Sequence, residues 1–350
     1  MAAVEIREYR GDCEDLVDLA KRVWIPEYGG RIWFPVPEAD FLRGKLGPGS
    51  GALCQVAYEG ARLVGSVFSV PRTIRVGENV YPIAMWTGFS VEPGNRRIAL
   101  PLIERMRRAN EARGVVFGIG MVLDDPTSAS FQFWTKYAGA FPKSFRFVLN
   151  GGYLAKFLNP GLLARAGIMA WERIASRITG PLVRLVPNAR DPNIRPYSSA
   201  DLDRCAEMIE LMSRRLDWAM RWSREELAAQ FGDPAYTTFV YERDGKVQGM
   251  VNCHSFPLHG REVIRAGFID LWAHDDLNFA ERTRLVGHLC HHLRDTGVDA
   301  VIAARSSLMP TGALVANLFV PGAQHFRIGI FPTKLTPDLP PPKTWSFEIT

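Results

Sequence analysis

Two consecutive strand-like segments deliver carboxylates at their carboxyl ends. YPIAMWTGFSV is followed at once by Glu92, and VVFGIGMVL is followed by Asp124 and Asp125. An open α/β sheet has its ligand crevice at that edge, so Glu92 and Asp125 are candidate general bases. The competing roles are a solvated loop carboxylate for Glu92 and a helix N-cap for Asp125, which precedes Pro126. Tyr137 is a candidate proton donor and equally a core-packing ring. Between these groups, VEPGNRRIALPL sets Arg96 and Arg97 just ahead of a helix that begins near Ala99. Guanidinium groups beside the amides of a helix N-terminus are suited to hold phosphate. Asp270 lies inside the apolar strand FIDLWA, where a carboxylate must face a polar cleft or meet a strong partner, and it is the candidate for substrate binding. All seven histidines fall in the second half. His288 and His292 are spaced to share a helix face, yet no third ligand has a recognisable spacing, so no metal is expected. Gly118 and Gly120 sit within a strand and lack the third glycine of a dinucleotide fingerprint. There is no Ser/His or Cys/His nucleophile signature.

The elements that must hold these residues alternate along the first half. VEIREYR reads as a strand and Cys13 to Trp24 as a helix with Leu16, Leu19 and Val23 on one face. ALCQVAYEGARLVGSVFSV is a hairpin turning at Glu59-Gly60, and a second hairpin turns at Gly77-Glu78-Asn79. A helix with Leu102, Met106 and Ala109 on one face ends at Gly114. VVFGIGMVL is a doubly buried strand, and TSASFQFWTKY is a short helix. The order β-α-α-β-β-β-α-β-α-β predicts a mixed α/β sheet with helices on both faces.

From Asn193 the same order begins again. NIRPYSSADLDRCAEMIELM echoes the opening, TTFVYERDGKVQGMVNCHS echoes the first hairpin, and EVIRAGFIDLWA stands where YPIAMWTGFSV stood. A fixed order of elements that recurs is the mark of a duplicated unit. A Gly- and Pro-punctuated stretch with helical spacing at Leu163, Ile168, Trp171, Ile174 and Ile178 separates the halves. Its charge is unusual. Lys156, Arg165, Arg173, Arg177, Arg184, Arg190 and Arg195 face only Glu172 and Asp191, so residues 151–200 account for the whole chain's net +5. A basic strip of this kind suits an anionic surface such as tRNA or lipid, or a plain solvated helix face.

With 47% hydrophobic and 23% charged residues, the 350-residue chain is globular and long enough for two domains. No apolar run approaches the roughly 20 residues of a membrane helix, and the N-terminus lacks a signal-like apolar core. Five scattered cysteines without C-x-x-C spacing are expected as reduced thiols in a cytoplasmic protein.

The stretch from Thr87 to Met106 resembles the coenzyme-binding motif of the GNAT N-acetyltransferase superfamily. Val91 and Pro93 match its V-x-P strand end, Arg96 follows at the expected distance, and Gly114 closes the helix. SASFQFWTKYAGAF is similar to the family's second motif, with Ala129, Phe133, Lys136 and Gly139 in place. The resemblance implies two GNAT domains in tandem. The N-terminal domain is residues 1–150, the basic linker 151–192, the degenerate C-terminal domain 193–335 and the Pro-rich tail 336–350. It implies acetyl-CoA or another acyl-CoA as co-substrate and direct N-acyl transfer to a small-molecule amine in a ternary complex. Coenzyme contacts are implied at Phe89, Val91, Arg96, Arg97, Ala99, Ser128, Phe131 and Trp134. The chain departs from the pattern at Arg97, which occupies a glycine position, and at Trp134, which replaces the tyrosine that often protonates the thiolate; Tyr137 is the substitute. In the second half HDDLNFAERTRL has no glycine and three acids, which predicts little coenzyme binding. The alternatives are an aminoacyl-tRNA-dependent transferase of the same fold, which the basic strip favours, a non-catalytic GNAT-like binding protein, and peripheral association with a membrane.

Overall fold

The computed structural model describes residues 4–47, 49–159, 161, 166–168, 174 and 191–347. Most of the linker's arginines (Arg165, Arg173, Arg177, Arg184, Arg190) lie outside the described residues, as do Leu163, Trp171 and Ile178. The chain divides into two compact units. Unit 1 comprises Met1–Gly29, Phe34–Asn150 and His325–Pro342, and unit 2 comprises Gly30–Trp33, Gly151–Gln324 and Lys343–Thr350.

In chain order the first half contains β1 (Val4–Glu8), α1 (Cys13–Tyr28), β2 (Phe34–Pro35), α2 (Ala39–Leu46), β3 (Leu53–Glu59), β4 (Arg62–Val76), β5 (Asn79–Val91), α3 (Ala99–Ala112), β6 (Phe117–Leu123), α4 (Ala129–Ala140) and β7 (Arg146–Phe157). The second half contains β8 (Ile194–Pro196), α5 (Leu202–Ser213), β9 (Trp218–Arg221), α6 (Arg224–Gly232), β10 (Tyr236–Arg243), β11 (Lys246–His259), β12 (Val263–His274), α7 (Phe279–Asp295), β13 (Ala300–Ala304), α8 (Thr311–Ala316), β14 (Val320–Pro332) and β15 (Trp345–Ser346). Unit 1 orders its strands β1-β3-β4-β5-β6-β14, with β5 and β6 parallel. Unit 2 orders them β7-β13-β12-β11-β10-β8, with β12 and β13 parallel.

The turn chemistry acts as the sequence predicts. Glu59 pairs with Arg62 and Val76 with Asn79, and the turn glycines Gly60 (φ 62°) and Gly77 (φ 57°) occupy the left-handed region. In unit 2 both turn residues, Asp244 (φ 54°) and Gly245 (φ 71°), are left-handed, which is the primed turn that Asp-Gly favours. β7 runs on through Gly151–Phe157, the expected start of the helical linker. Gly152, Leu154, Lys156 and Leu158 are buried in alternation, so a strand period outweighs the glycine pair. The strand pairing Phe326–Pro332 with β6 comes from the C-terminal half and completes unit 1's sheet.

Glycines shape the core of unit 1. A Cβ at Gly118 would lie 2.5 Å from Nε1 of Trp86, and one at Gly329 2.3 Å from the ring of Phe145. The space they leave holds Trp86 stacked on Phe331 at 4.0 Å, with Phe145 and Trp134 against Phe331 at 4.8 and 5.3 Å. Gly118 and Gly120 are therefore packing residues. Unit 2 has its own core of β11, β12 and β13 residues under α7, with Val251, Val301, Leu285 and Leu289 fully buried.

Candidate acyl-CoA site

β5 and β6 are hydrogen-bonded in parallel only from Ile83↔Phe117 to Trp86↔Gly120. Both strands continue beyond that point, so Thr87–Val91 have no ladder partner on β6. The same segment is bulged: Ser66 pairs with Ser90 and Phe68 with Thr87, leaving Gly88 and Phe89 opposite Val67 alone. Gly88 has φ 62°, and a Cβ there would fall 2.1 Å from the ring of Phe68. Ser66 Oγ donates to the Gly88 carbonyl at 3.0 Å and pins the bulge. Glycine is the residue this backbone tolerates. The result is an open strand end whose neighbour Ser90 carries a buried hydroxyl without a hydrogen-bond partner.

A 3-10 turn over Pro93–Ile98 leads from this strand into α3. Gly65 on β4 lets the helix start close to the sheet, since a Cβ there would meet Ile98 at 2.8 Å and Leu102 at 2.9 Å. No side chain caps α3. Arg96 and Arg97 are both exposed on the turn, and Ala99 is buried in the first helical turn. This donor set, amides with two guanidinium groups, fits a pyrophosphate, and the partnerless strand end and the Ser90 hydroxyl fit an amide-bearing thioester chain.

The expected acid–base residues are held differently. Glu92 is buried, and one of its oxygens is bound by both Arg22 and Arg62 at 3.0 Å; Arg22 also donates to the Leu63 carbonyl. With both guanidinium groups on one of its oxygens, Glu92 ties α1 to the ends of β4 and β5. Asp125 Oδ1 accepts from both the amide and the hydroxyl of Thr127, which makes it a turn-forming residue. The N-cap of α4 is Ser128 instead, whose Oγ accepts from the amide of Phe131, while Glu27 accepts from the amide of Ala129. Ser128 is fully buried and caps the helix through its Oγ. Tyr137 stacks on Phe133 at 5.9 Å and contacts Trp134, Phe141 and Phe145. Burial pushes its phenol up, partly offset by a hydrogen bond with Ser144.

Of the expected coenzyme contacts, Phe89 and Trp134 come together at 5.1 Å, and Phe133 flanks them. Phe131 lies 4.8 Å beneath the guanidinium of Arg327, which also pairs with Asp124 at 3.2 Å. Phe131 and Trp134 are buried side chains of unit 1's core. Arg22, Arg62 and Arg327 escaped the sequence reading, because nothing local marks an arginine whose partner lies 30 or more residues away.

In unit 2, His288 and His292 pack edge-on against Phe239 at 4.6 and 5.1 Å. Among the described residues no three His, Cys, Asp or Glu side chains gather as a metal site. Of the basic strip, Lys156 is buried in β7, and burial pushes its amine down. Arg195 is bound by Asp201 at 2.7 Å and by Glu242. Neither presents free positive charge. Among the described residues no helix is long and apolar enough to cross a membrane. All five cysteines are free thiols, four of them buried.

These features define a class of fold: a mixed sheet whose central parallel ladder ends just before a bulge, built twice. The chain has the GNAT-type acyltransferase fold in tandem. It is similar to Saccharomyces cerevisiae N-myristoyltransferase with bound myristoyl-CoA, with a TM-score of 0.74 at 15% identity, over 97% of this chain and 85% of that one. A probable N-acyltransferase from Enterococcus faecalis matches with a TM-score of 0.54 at 12% identity, over 95% and 74%. A GCN5-related N-acetyltransferase from Anabaena variabilis matches at 0.53 and 10%, over 94% and 72%. No family model and no curated protein sequence matches the chain.

Proposed function

We propose that the protein is an acyl-CoA-dependent N-acyltransferase whose unit 1 binds the thioester. The observation that carries this reading is the sequence of features on one strand: the ladder with β6 ends at Trp86, the bulge follows at Gly88, and Arg96 and Arg97 stand exposed before an uncapped helix. The likeness to a structure holding myristoyl-CoA supports an acyl-CoA donor. In this reading Arg96 and Arg97, on the turn before α3, bind the pyrophosphate. The backbone between Phe89 and Val91 lies along the thioester, and a backbone amide there stabilises the developing oxyanion. The amine nitrogen attacks the thioester carbonyl, the C–N bond forms, the C–S bond breaks, and the coenzyme leaves as its thiolate. One ammonium proton passes to solvent before attack, and a second N–H proton leaves as the amide forms and protonates the departing thiolate. No protein nucleophile is needed. The acceptor is an amine, with a small molecule as our proposed class.

Thermal-shift titration with free CoA, acetyl-CoA and myristoyl-CoA tests the reading. A ligand at a hundredfold excess over its Kd stabilises by about 2.7 kcal/mol, which raises Tm by several degrees. If none of the three moves Tm, the reading fails; if one does, Arg96→Ala is expected to reduce the shift.

A further inference from the structure

Asp270, the expected substrate contact, is only 4% exposed and lies against Nδ1 of His254 at 2.5 Å. Unit 1 holds a group of the opposite character. Arg327 of β14 pairs with Val122 of β6, two residues past the point where the β5–β6 ladder ends at Gly120. This is the carboxyl end of β6, the edge at which an open α/β sheet binds ligands. Residues alternate along a strand, so Arg327 shares a sheet face with Gly329 and Phe331. That face carries the rings of Trp86, Phe331 and Trp134, and Phe89 of the candidate thioester strand meets Trp134 there. Arg327 and Phe89 therefore project from the same side of the sheet, with β6 between their strands. At about 4.8 Å per strand, β5 and β14 are roughly 10 Å apart.

The Arg327 side chain is held from two elements. Its guanidinium carbon lies 4.8 Å from the ring centre of Phe131 on α4 and 5.5 Å from that of Phe147 on β7. Asp124 Oδ1 stands 3.2 Å from Nε, and the Asp124 amide, donating to the His325 carbonyl at 2.9 Å, keeps that carboxylate beside β14. Nε is shut off from water, and its approach to Asp124 is not aligned as a hydrogen bond. Among the described residues neither Nη group makes a hydrogen bond, although the side chain is 32% exposed. Arg195 of unit 2 is built otherwise. It meets Asp201 fork-on, with N–H groups donating at 2.7 and 2.8 Å. A guanidinium fixed by rings and charge-paired at Nε, yet with an exposed and unbonded fork, is arranged for a further planar acceptor. A carboxylate takes such a fork with two parallel hydrogen bonds. The Asp124 charge beside it favours a monoanion over a more highly charged phosphate.

We infer that Arg327 recognises a carboxylate on the acceptor, so that the acceptor is an amino acid: a small molecule carrying both the amine that is acylated and the carboxylate that the fork holds. The ligand's identity as the acceptor rests on the acyltransferase reading, which this narrows from amines in general to amines that bear a carboxylate. Arg327 is then a binding residue, and Phe131, Phe147 and Asp124 position it.

The full chain is given acetyl-CoA, and in parallel myristoyl-CoA, with an equimolar mixture of the common amino acids and their carboxamides, and N-acylated products are measured by mass spectrometry. In such a competition the product ratio reports relative kcat/KM. At least one amino acid is expected to be acylated roughly tenfold or more faster than its own carboxamide. Arg327→Gln is expected to bring that ratio to unity or below, and Arg327→Lys, which keeps the charge without the fork, to leave an intermediate value. Thermal shifts with the same two acyl-CoAs are expected to be equal in all three proteins, which also verifies folding; should Arg327→Gln fail to fold, the ratio in Arg327→Lys decides. A wild-type ratio near unity, a ratio unchanged by the substitution, or no acylated amino acid overturns the carboxylate site, while a retained coenzyme shift leaves the acyltransferase reading standing. A coenzyme shift lost in a folded Arg327→Gln assigns the fork to the coenzyme and overturns the site as well. If no acyl-CoA moves Tm in wild type, the acyltransferase reading fails and the acceptor assignment with it.

Discussion

The two units begin from the same plan and differ at two matched places. At the bulge beyond the parallel ladder, unit 1 keeps Gly88 beside Phe89, whereas unit 2 keeps Asp270 bound to His254. At the helix that follows, α3 starts without a side-chain cap and with Arg96 and Arg97 exposed. Its counterpart α7 is closed by a capping box: Asn278 Oδ1 accepts from the Glu281 amide at 3.0 Å, and Glu281 accepts from the Asn278 amide at 2.9 Å. Glu281 also binds Arg243 at 2.9 Å, and Asp275 and Asp276 precede the helix. A capping box and neighbouring acids occupy part of the donor set of an N-terminus and disfavour phosphate there. Unit 1 thus has exposed guanidinium groups at this helix start where unit 2 has a capping box and acids.

The most disruptive test of that contrast is Gly88→Ala. A left-handed φ and a Cβ 2.1 Å from Phe68 should together cost about 3 kcal/mol, read by chemical denaturation. A loss under 1 kcal/mol would show that the bulge is not fixed as described. Next comes the anion turn, where Arg96→Ala with Arg97→Ala should weaken acyl-CoA binding about a hundredfold, or about 2.7 kcal/mol, with stability unchanged. An unaltered Kd by calorimetry would remove these residues from the site. Acid should act on unit 2 through Asp201, whose carboxyl the Arg195 guanidinium holds down at about 2 against burial. Because the folded-state value is depressed, its stabilisation is full above about pH 4 and vanishes as pH falls toward 2. Asp201→Asn should therefore abolish roughly 1–2 kcal/mol of acid-sensitive stability, seen as a flatter Tm against pH. In the capped helix, Asn278→Ala should cost about 1 kcal/mol of stability and leave acyl-CoA affinity as it was. The smallest effect is expected for Tyr137→Phe: a kcat within about threefold of wild type, since the ring packs in an aromatic cluster. A drop near a hundredfold would restore Tyr137 as the acid.

Much of the architecture was legible because it rests on local rules. The turns at Gly60, Gly77 and Asp244-Gly245, the stop at Gly114 and the repeated element order follow from backbone chemistry that a few adjacent residues decide. The segment from Val91 to Ala99 was legible as a strand end, a short turn and a helix start for the same reason, being contiguous. The side-chain partners were not. Glu92 and Asp125, the expected acid–base groups, are bound by Arg22 with Arg62 and by Thr127, and Ser128, expected at the coenzyme, caps α4 through the Phe131 amide. Two of those partners are near in sequence but are chosen by turn geometry, and the arginines are distant.

By itself, then, the sequence determined the hairpin turns, the helix stop at Gly114 and that the pattern occurs twice. Those properties depend on φ preferences, periodicity and contiguous spacing, which the chain writes locally. Only the tertiary structure decided that β14 completes unit 1, that Gly118 and Gly329 exist to admit Trp86 and Phe145, and that His254 meets Asp270. Such pairings depend on strand register, and a register shift of one residue would have turned either side chain to the opposite face.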